Sequence, residues 1–191
     1  MPSQSLEYWL KVRLRALDEI ERAHRSMGGT GPGRRHATQQ INLAYAVLLS
    51  AQFQGFCRDL HDEGADLLIQ LTTPASLWET FKDALVWNRK LDAGNPNPGN
   101  IGSDFNRFKV KFWVEVRTVD ARNKSRFERL EDLNRWRNAI AHQDFDPRVL
   151  GPGQLRLEKV QEWRSACEGL AISFDRVMRL PLREMTGTPP W

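Results

Sequence analysis

Apolar residues recur at helical spacing along most of the chain, and alternation of the kind that marks a strand is weak. Leu6, Leu10, Leu14, Leu17 and Ile20 predict a first helix over 5–27, with Lys11, Arg13, Arg15, Asp18, Glu19, Glu21 and Arg22 on its other side. A second helix over 37–71 is the most apolar. Ile41, Leu43, Ala44, Val47, Leu48, Ala51, Phe53, Phe56 and Leu60 leave it little polar surface, which places it at the centre of a bundle. Asn42, Gln52 and Gln54 interrupt that surface and need hydrogen-bond partners if buried. Gly55 suggests a close approach, and Gly64 a division or bend. Thr73 as cap and Pro74 at the first position predict a third helix to residue 90, with Leu77, Trp78, Phe81, Ala84, Leu85 and Trp87 as its apolar side.

Beyond it, Phe105, Phe108, Phe112 and Trp113 predict a short helix over 104–116, although 108–119 partly alternates and also fits a strand. Ser125 and Glu128 have capping-box spacing and predict the start of a helix that runs to His142, where Asp144-Phe145-Asp146-Pro147 stops it. A last helix is expected over 157–180, followed by a loosely held tail over 181–191. The pattern therefore predicts an all-α, up-and-down bundle of about five to six helices in a single domain spanning 1–191. Three breaks punctuate it: the glycine-rich stretch 28–33, the Gly/Pro/Asn-rich stretch 91–100, and Gly151-Pro152-Gly153. With almost no apolar anchor, residues 94–102 read as a mobile excursion.

Composition narrows the function classes. The 191 residues are 40% hydrophobic and 27% charged, enough for a folded core. A net charge of +4 favours an acidic partner, but the basic residues are dispersed. No stretch approaches the ~18 apolar residues of a membrane span, and a secretory leader's apolar run is missing, so a soluble, cytoplasmic protein without membrane partners is expected. Cys57 and Cys167 lie in apolar helical surroundings and read as buried free thiols. The stretch 28–33 lacks the Gly-Lys-Ser/Thr ending of a phosphate loop, and the Arg34-Arg35-His36 cluster behind it reads as a solvated turn. His61, between Asp59 and Asp62, lacks a ligand motif and reads as a surface histidine. Neither a metal nor an organic cofactor is called for by any motif.

The candidate chemistry gathers at Arg137-Asn138-Ala139-Ile140-Ala141-His142. Glu131, Asn134, Asn138 and His142 form a polar stripe, while Leu130, Leu133, Trp136 and Ile140 face the core. On a continuous helix Arg137 and His142 point roughly 140° apart. They meet at one substrate only if the helix end unwinds or a second copy of the helix packs against the first. An arginine and a histidine at a helix C-terminus also suit the macrodipole without further role. In chemical terms the trio offers a planar cation for phosphate oxygens, an amide, and an imidazole able to accept or donate a proton. Asp144 and Asp146 can hold one metal ion at most, in too slight a loop for a two-metal nuclease.

The R-x4-H pattern, together with Tyr45-Ala46-Val47-Leu48-Leu49-Ser50-Ala51-Gln52-Phe53-Gln54-Gly55-Phe56 in the second helix, resembles the HEPN superfamily, in particular prokaryotic members with an aromatic-x-Gly-Phe segment. The resemblance covers most of the helical core and only loosely the two ends. It implies a metal-independent endoribonuclease of toxin–antitoxin or phage-defence systems, with Arg137, Asn138 and His142 as catalytic residues. It also implies RNA as substrate, a homodimer whose two motif helices line one groove, and a cognate antitoxin protein. The family includes inactive members, so the alternative it implies is a helical module that binds protein or RNA without cleaving.

Overall fold

The computed structural model describes residues 1–27, 34–151 and 153–191. The glycine-rich loop 28–33, the side chains of the Arg34-Arg35-His36 cluster and Pro152 lie outside the described residues. All secondary structure among the described residues is helical, so the helical reading of 108–119 holds over the strand. Among those residues, ten α segments replace the five to six expected, because several of the expected helices break into short pieces.

The first rod is one continuous run: α1 (Gln4–Tyr8), a π-helical turn (Trp9–Arg13) and α2 (Leu14–Met27). Ser3 starts it by accepting from the Leu6 amide at 3.1 Å. α3 (Arg34–Thr72) spans 39 residues without a break, about 58 Å of helix. Gly64 neither divides nor bends it into two elements. Leaving Gly64 without a side chain lets Met178, Phe108 and Leu182 close over that turn, since a Cβ there would sit 3.2 Å from the Met178 methyl. Gly55 admits the Arg13 guanidinium, which lies where a Cβ would be and bonds Gln52 at 2.9 Å and Asp59 at 2.7 Å. The expected close approach is thus made by a side chain from the first rod.

α3 is the spine. Tyr45, Ala46, Leu49, Phe53, Phe56, Cys57 and Leu60 on it are fully buried. α2, α8 (Asn123–His142) and α10 (Leu157–Thr186) pack around it. Trp9 meets Phe53 and Phe56 at ring distances of 5.8 and 5.6 Å, and Phe174 of α10 joins Phe53, Phe105 and Phe112 in a continuous aromatic cluster. Both cysteines are free and fully buried, as read from their neighbours. Buried Asn42 donates to the Leu155 carbonyl, although its Oδ1 has no partner among the described residues; half-buried Gln52 accepts from Arg13, and half-buried Gln54 donates to two carbonyls.

Several expectations fail, each for a packing reason. α10 passes through Pro181 to Thr186 instead of stopping at 180. Met178, nearly a turn before the proline, and Leu182, directly after it, are both fully buried, and their burial outweighs the ~3 kcal/mol cost of an interior proline. Thr73 does not cap a helix from 74 to 90. A 3-10 turn (Ala75–Leu77) leads into the shorter α4 (Trp78–Val86), none of whose residues is buried. On its expected core side Leu85 packs half-buried against the core, but Trp78 and Phe81 are left exposed, and Phe81 lines a groove of about 520 Å³ with Leu68, Ile69 and Met185. The expected helix over 104–116 splits between α6 (Pro98–Phe105), a 3-10 turn (Asn106–Phe108) and α7 (Phe112–Val119), with Lys109 left-handed at the break. Ser125 does not cap α8, which starts at Asn123. Asn123 is buried and donates to the Val116 carbonyl and Ser173, and Ser125 accepts from Arg129 instead.

The largest correction concerns His61 and the stretch after α4. His61 is fully buried rather than on the surface, edge-on to the Phe105 and Phe108 rings. Arg89, itself 6% exposed, reaches its Nδ1 at 3.3 Å, so that atom is unprotonated and accepts. Nε2 then carries the hydrogen and donates to the Asp104 carbonyl at 3.2 Å. The Asp104 carboxylate accepts from the Lys90 and Leu91 amides at 2.9 and 2.8 Å, capping the short α5 (Lys90–Ala93). Arg89 also pairs with Asp62 at 2.6 Å and Asp92 at 3.1 Å.

Burial, and then the Arg89 charge, lowers the His61 imidazole from 6.5 to about 3. The unfolded chain binds a proton at His61 below its ordinary value, and the folded protein does not until about pH 3. Folded stability from this site is therefore complete above the unfolded value and is lost as pH falls towards the folded one. Urea unfolding of wild type and His61→Gln should show a stability difference that shrinks by about 1.4 kcal/mol per pH unit between about pH 6 and pH 4. A difference that stays constant over that range would show that His61 is not a neutral buried group.

Candidate functional site

α8 is a core helix with one wet side. Leu130, Leu133 and Trp136 are buried against the bundle and Ile140 is half-buried, as their spacing requires. The helix keeps its geometry through His142. Gln143 is left-handed (φ 56°), its amide bonds the Ile140 carbonyl, and the Asp144 amide bonds the Ala139 carbonyl at 3.0 Å. These two bonds close the helix in a Schellman arrangement, with a glutamine where glycine is usual. The Gln143 side chain adds a bond to the Ile140 carbonyl at 2.8 Å.

The helix end is therefore not unwound, and one chain does not bring Arg137 and His142 together. Asn138 and His142 line a surface depression of about 300 Å³ with Arg135, Asp144, Asp146 and Leu150. Arg137 is half-buried and does not line it. Arg137 has no acidic partner among the described residues; its one side-chain bond is from Nη1 to Asn138 Oδ1 at 3.3 Å. Its neighbour Arg135, by contrast, pairs with Asp132 at 3.3 Å. His142 is exposed and has no hydrogen-bond partner among the described residues, so the bond from Asn138 that the i, i+4 spacing allows is not made. Asp146 caps α9 (Pro147–Leu150) and is engaged by the Arg148 amide and guanidinium, and the Arg148 side chain holds its carboxyl below the usual carboxylate range. No three His, Cys, Asp or Glu side chains converge among the described residues.

The neighbour that the sequence did not bring to this site is the stretch 94–102. It is docked, not an excursion. Leu91 and Ile101 are fully buried, and Asn97 caps α6 by accepting from the Asn100 amide at 2.8 Å. Gln54 of α3 donates to the Leu91 and Gly94 carbonyls at 2.6 and 2.7 Å. On the other side, Asn134 donates to the Pro96 carbonyl at 3.1 Å, and Asn95 donates to Asn138 Oδ1 at 2.8 Å. The middle of the polar stripe is thus covered from within the chain. Asn134, 3% exposed, has no surface left for a partner, so of the polar stripe only its ends remain open to one. The only signal in the sequence was the density of asparagines at 95, 97 and 100, which serve as caps and turn links here.

Comparison of the chain with protein-family models, with curated proteins and with solved structures returns no match.

The Gln54 clamp ties the stretch to the spine, so its removal should loosen that stretch selectively. Gln54→Ala should speed amide exchange over 94–102 by about tenfold or more, the weight of two hydrogen bonds, while α10 amides lose protection only as far as global stability falls. Unchanged exchange over 94–102 in the variant would show that other contacts hold the stretch.

Proposed function

We propose that this protein is a metal-independent endoribonuclease in which Arg137, Asn138 and His142 carry the reaction, as the HEPN resemblance implies. The observation that carries the proposal is the state of these side chains. In a protein where many arginines are ion-paired, Arg137 has no acid beside it among the described residues, and His142 stands exposed without a partner among them. A guanidinium without an acid beside it is available to bind phosphate oxygens through its planar fork.

The chemistry needs three things: a base to take the ribose 2′-hydroxyl proton, an acid to protonate the departing 5′-oxygen, and positive charge at the phosphorane. A histidine does either proton transfer, and an arginine fork matches phosphate oxygens. The products are a 2′,3′-cyclic phosphate and a 5′-hydroxyl. Two-fold pairing of the exposed ends of α8 would supply two histidines, one for each transfer, and would set the Arg137 of one chain beside the His142 of the other. With Asn134 covered, that interface falls to the exposed residues of the last two turns and to the 144–150 segment. A cytoplasmic toxin of this kind would be held in check by a cognate antitoxin. The exposed apolar side of α4 favours a second reading, a helical module that binds a protein partner without cleaving RNA.

Purified protein incubated with RNA in excess chelator should release 2′,3′-cyclic phosphate ends, with a rate that varies across about pH 5 to 8 at saturating substrate. Arg137→Ala and His142→Ala, folded by circular dichroism, should each lower the rate by about a hundredfold or more. Cleavage that persists in both variants, or none by wild type, would leave the binding-module reading.

Mixing the two variants after subunit exchange tests the shared groove. Each mixed dimer keeps one intact Arg137 and one intact His142, on opposite chains, and partial recovery of cleavage is expected. Full wild-type activity in protein that sediments as a monomer would overturn the shared groove.

A further inference from the structure

Asn95 lies outside the R-x4-H motif, yet its amide touches Asn138, and the direction of every hydrogen bond around it can be worked out. The chain of bonds begins at a group of known polarity. The Asn100 backbone N–H donates to Asn97 Oδ1 at 2.8 Å, so the other end of the Asn97 amide is its donor. That Nδ2 donates to Asn95 Oδ1 at 2.8 Å, which makes the facing end of Asn95 its Nδ2, donating to Asn138 Oδ1 at 2.8 Å. The far end is equally fixed. Arg137 is a donor only, and its Nη1 reaches the same Asn138 Oδ1 at 3.3 Å. The Asn95 backbone is held in turn by Asn100 Nδ2 on its carbonyl at 2.8 Å. Both ends of the relay thus demand the same orientation of Asn138. Its oxygen is used twice, and its Nδ2 has no partner among the described residues while Asn138 lines the depression with His142.

We infer that Asn95 is a positioning residue, which turns the Asn138 amide so that its NH2 group is offered to a hydrogen-bond acceptor at the His142 depression. A phosphate oxygen is such an acceptor, whereas a donor group meets no complement on the amide itself, whose oxygen is already used twice. This inference rests on the proposed ribonuclease reading for the identity of the acceptor, but not for the orientation of the amide.

Asn95→Asp tests it, because aspartate has nearly the same shape and cannot donate to Asn138 Oδ1. The Asn138 amide then turns over to donate to the new carboxylate, and its oxygen faces the depression. In RNA cleavage, Asn95→Asp should lower kcat about tenfold in the wild-type background and less than about twofold in an Asn138→Ala background. An equal loss in both backgrounds would mean that the carboxylate acts through charge or folding, and would overturn the role. Independently of any activity, the Asn138 Nδ2 protons, assigned by their loss in Asn138→Ala, should exchange with water about two- to tenfold more slowly in Asn95→Asp than in wild type, the weight of one hydrogen bond. Equal exchange rates overturn the proposed orientation. Slowed exchange with no cleavage by wild type would retain the orientation and discard the ribonuclease.

Discussion

The buried contact between Arg89, His61 and Asp104 is the constraint on which the site side of the molecule depends. It joins three stretches: the middle of the spine α3, the turn after α4, and the end of α6. Its members are costly to bury separately. Arg89 is a guanidinium with 6% exposure, and His61 and Asp104 are fully enclosed. Each is tolerable only because the others and the Lys90 and Leu91 amides satisfy it. Such a network adds little net stability compared with an apolar core, but it admits one arrangement and penalises the rest. Residues 90–105 cross the spine tied to it at both ends, at Lys90 and Leu91 through the Asp104 carboxylate and at Asp104 through His61.

That path decides what the candidate site looks like. It delivers Gln54's two carbonyl partners, sets Pro96 over Asn134, and lays Asn95 against Asn138. The R-x4-H end of α8 is therefore not a bare helix tip. One flank is built by a segment about forty residues earlier in the chain, and the other opens as the depression beside His142. The Schellman closure at Gln143 keeps the helix intact, so Arg137 and His142 hold their roughly 140° divergence. A single chain offers an imidazole and an amide at the depression, and a guanidinium that bonds the amide oxygen without lining the depression.

The aromatic-x-Gly-Phe segment has a different position in this balance. Phe53 and Phe56 are core residues against Trp9, Gly55 makes room for Arg13, and Gln54 is the clamp on the 90s stretch. All four act on folding and positioning, and none reaches the depression. The two features that carry the family resemblance are thus connected physically. The spine segment sets the stretch that orients the amide at the motif.

The sequence by itself determined the helical class, the central place of α3, the core face of α8 and its end at His142. Each follows from local spacing of apolar residues or from a local stop, and burial of a periodic face needs no knowledge of the partner. It also showed that Asn42, Gln52 and Gln54 would need partners, without showing which. What only the tertiary structure decided is whatever depends on contacts distant along the chain. His61 reads as a surface residue between two aspartates until Phe105, Phe108 and Arg89 close over it. Residues 94–102 read as loose because few of their side chains are apolar, yet they are held by amides and carbonyls that composition does not weigh. α4 reads as core because its stripe is apolar, but only Leu85 and Val86 pack, half-buried, against the bundle, while Trp78 and Phe81 stay exposed. Pro181 reads as a stop because its local cost is real, and only Met178 and Leu182 on either side show that it is outweighed. Periodicity reports which face an element wants to bury, whereas the cover for that face, or the partner for a polar group, is supplied by another part of the chain.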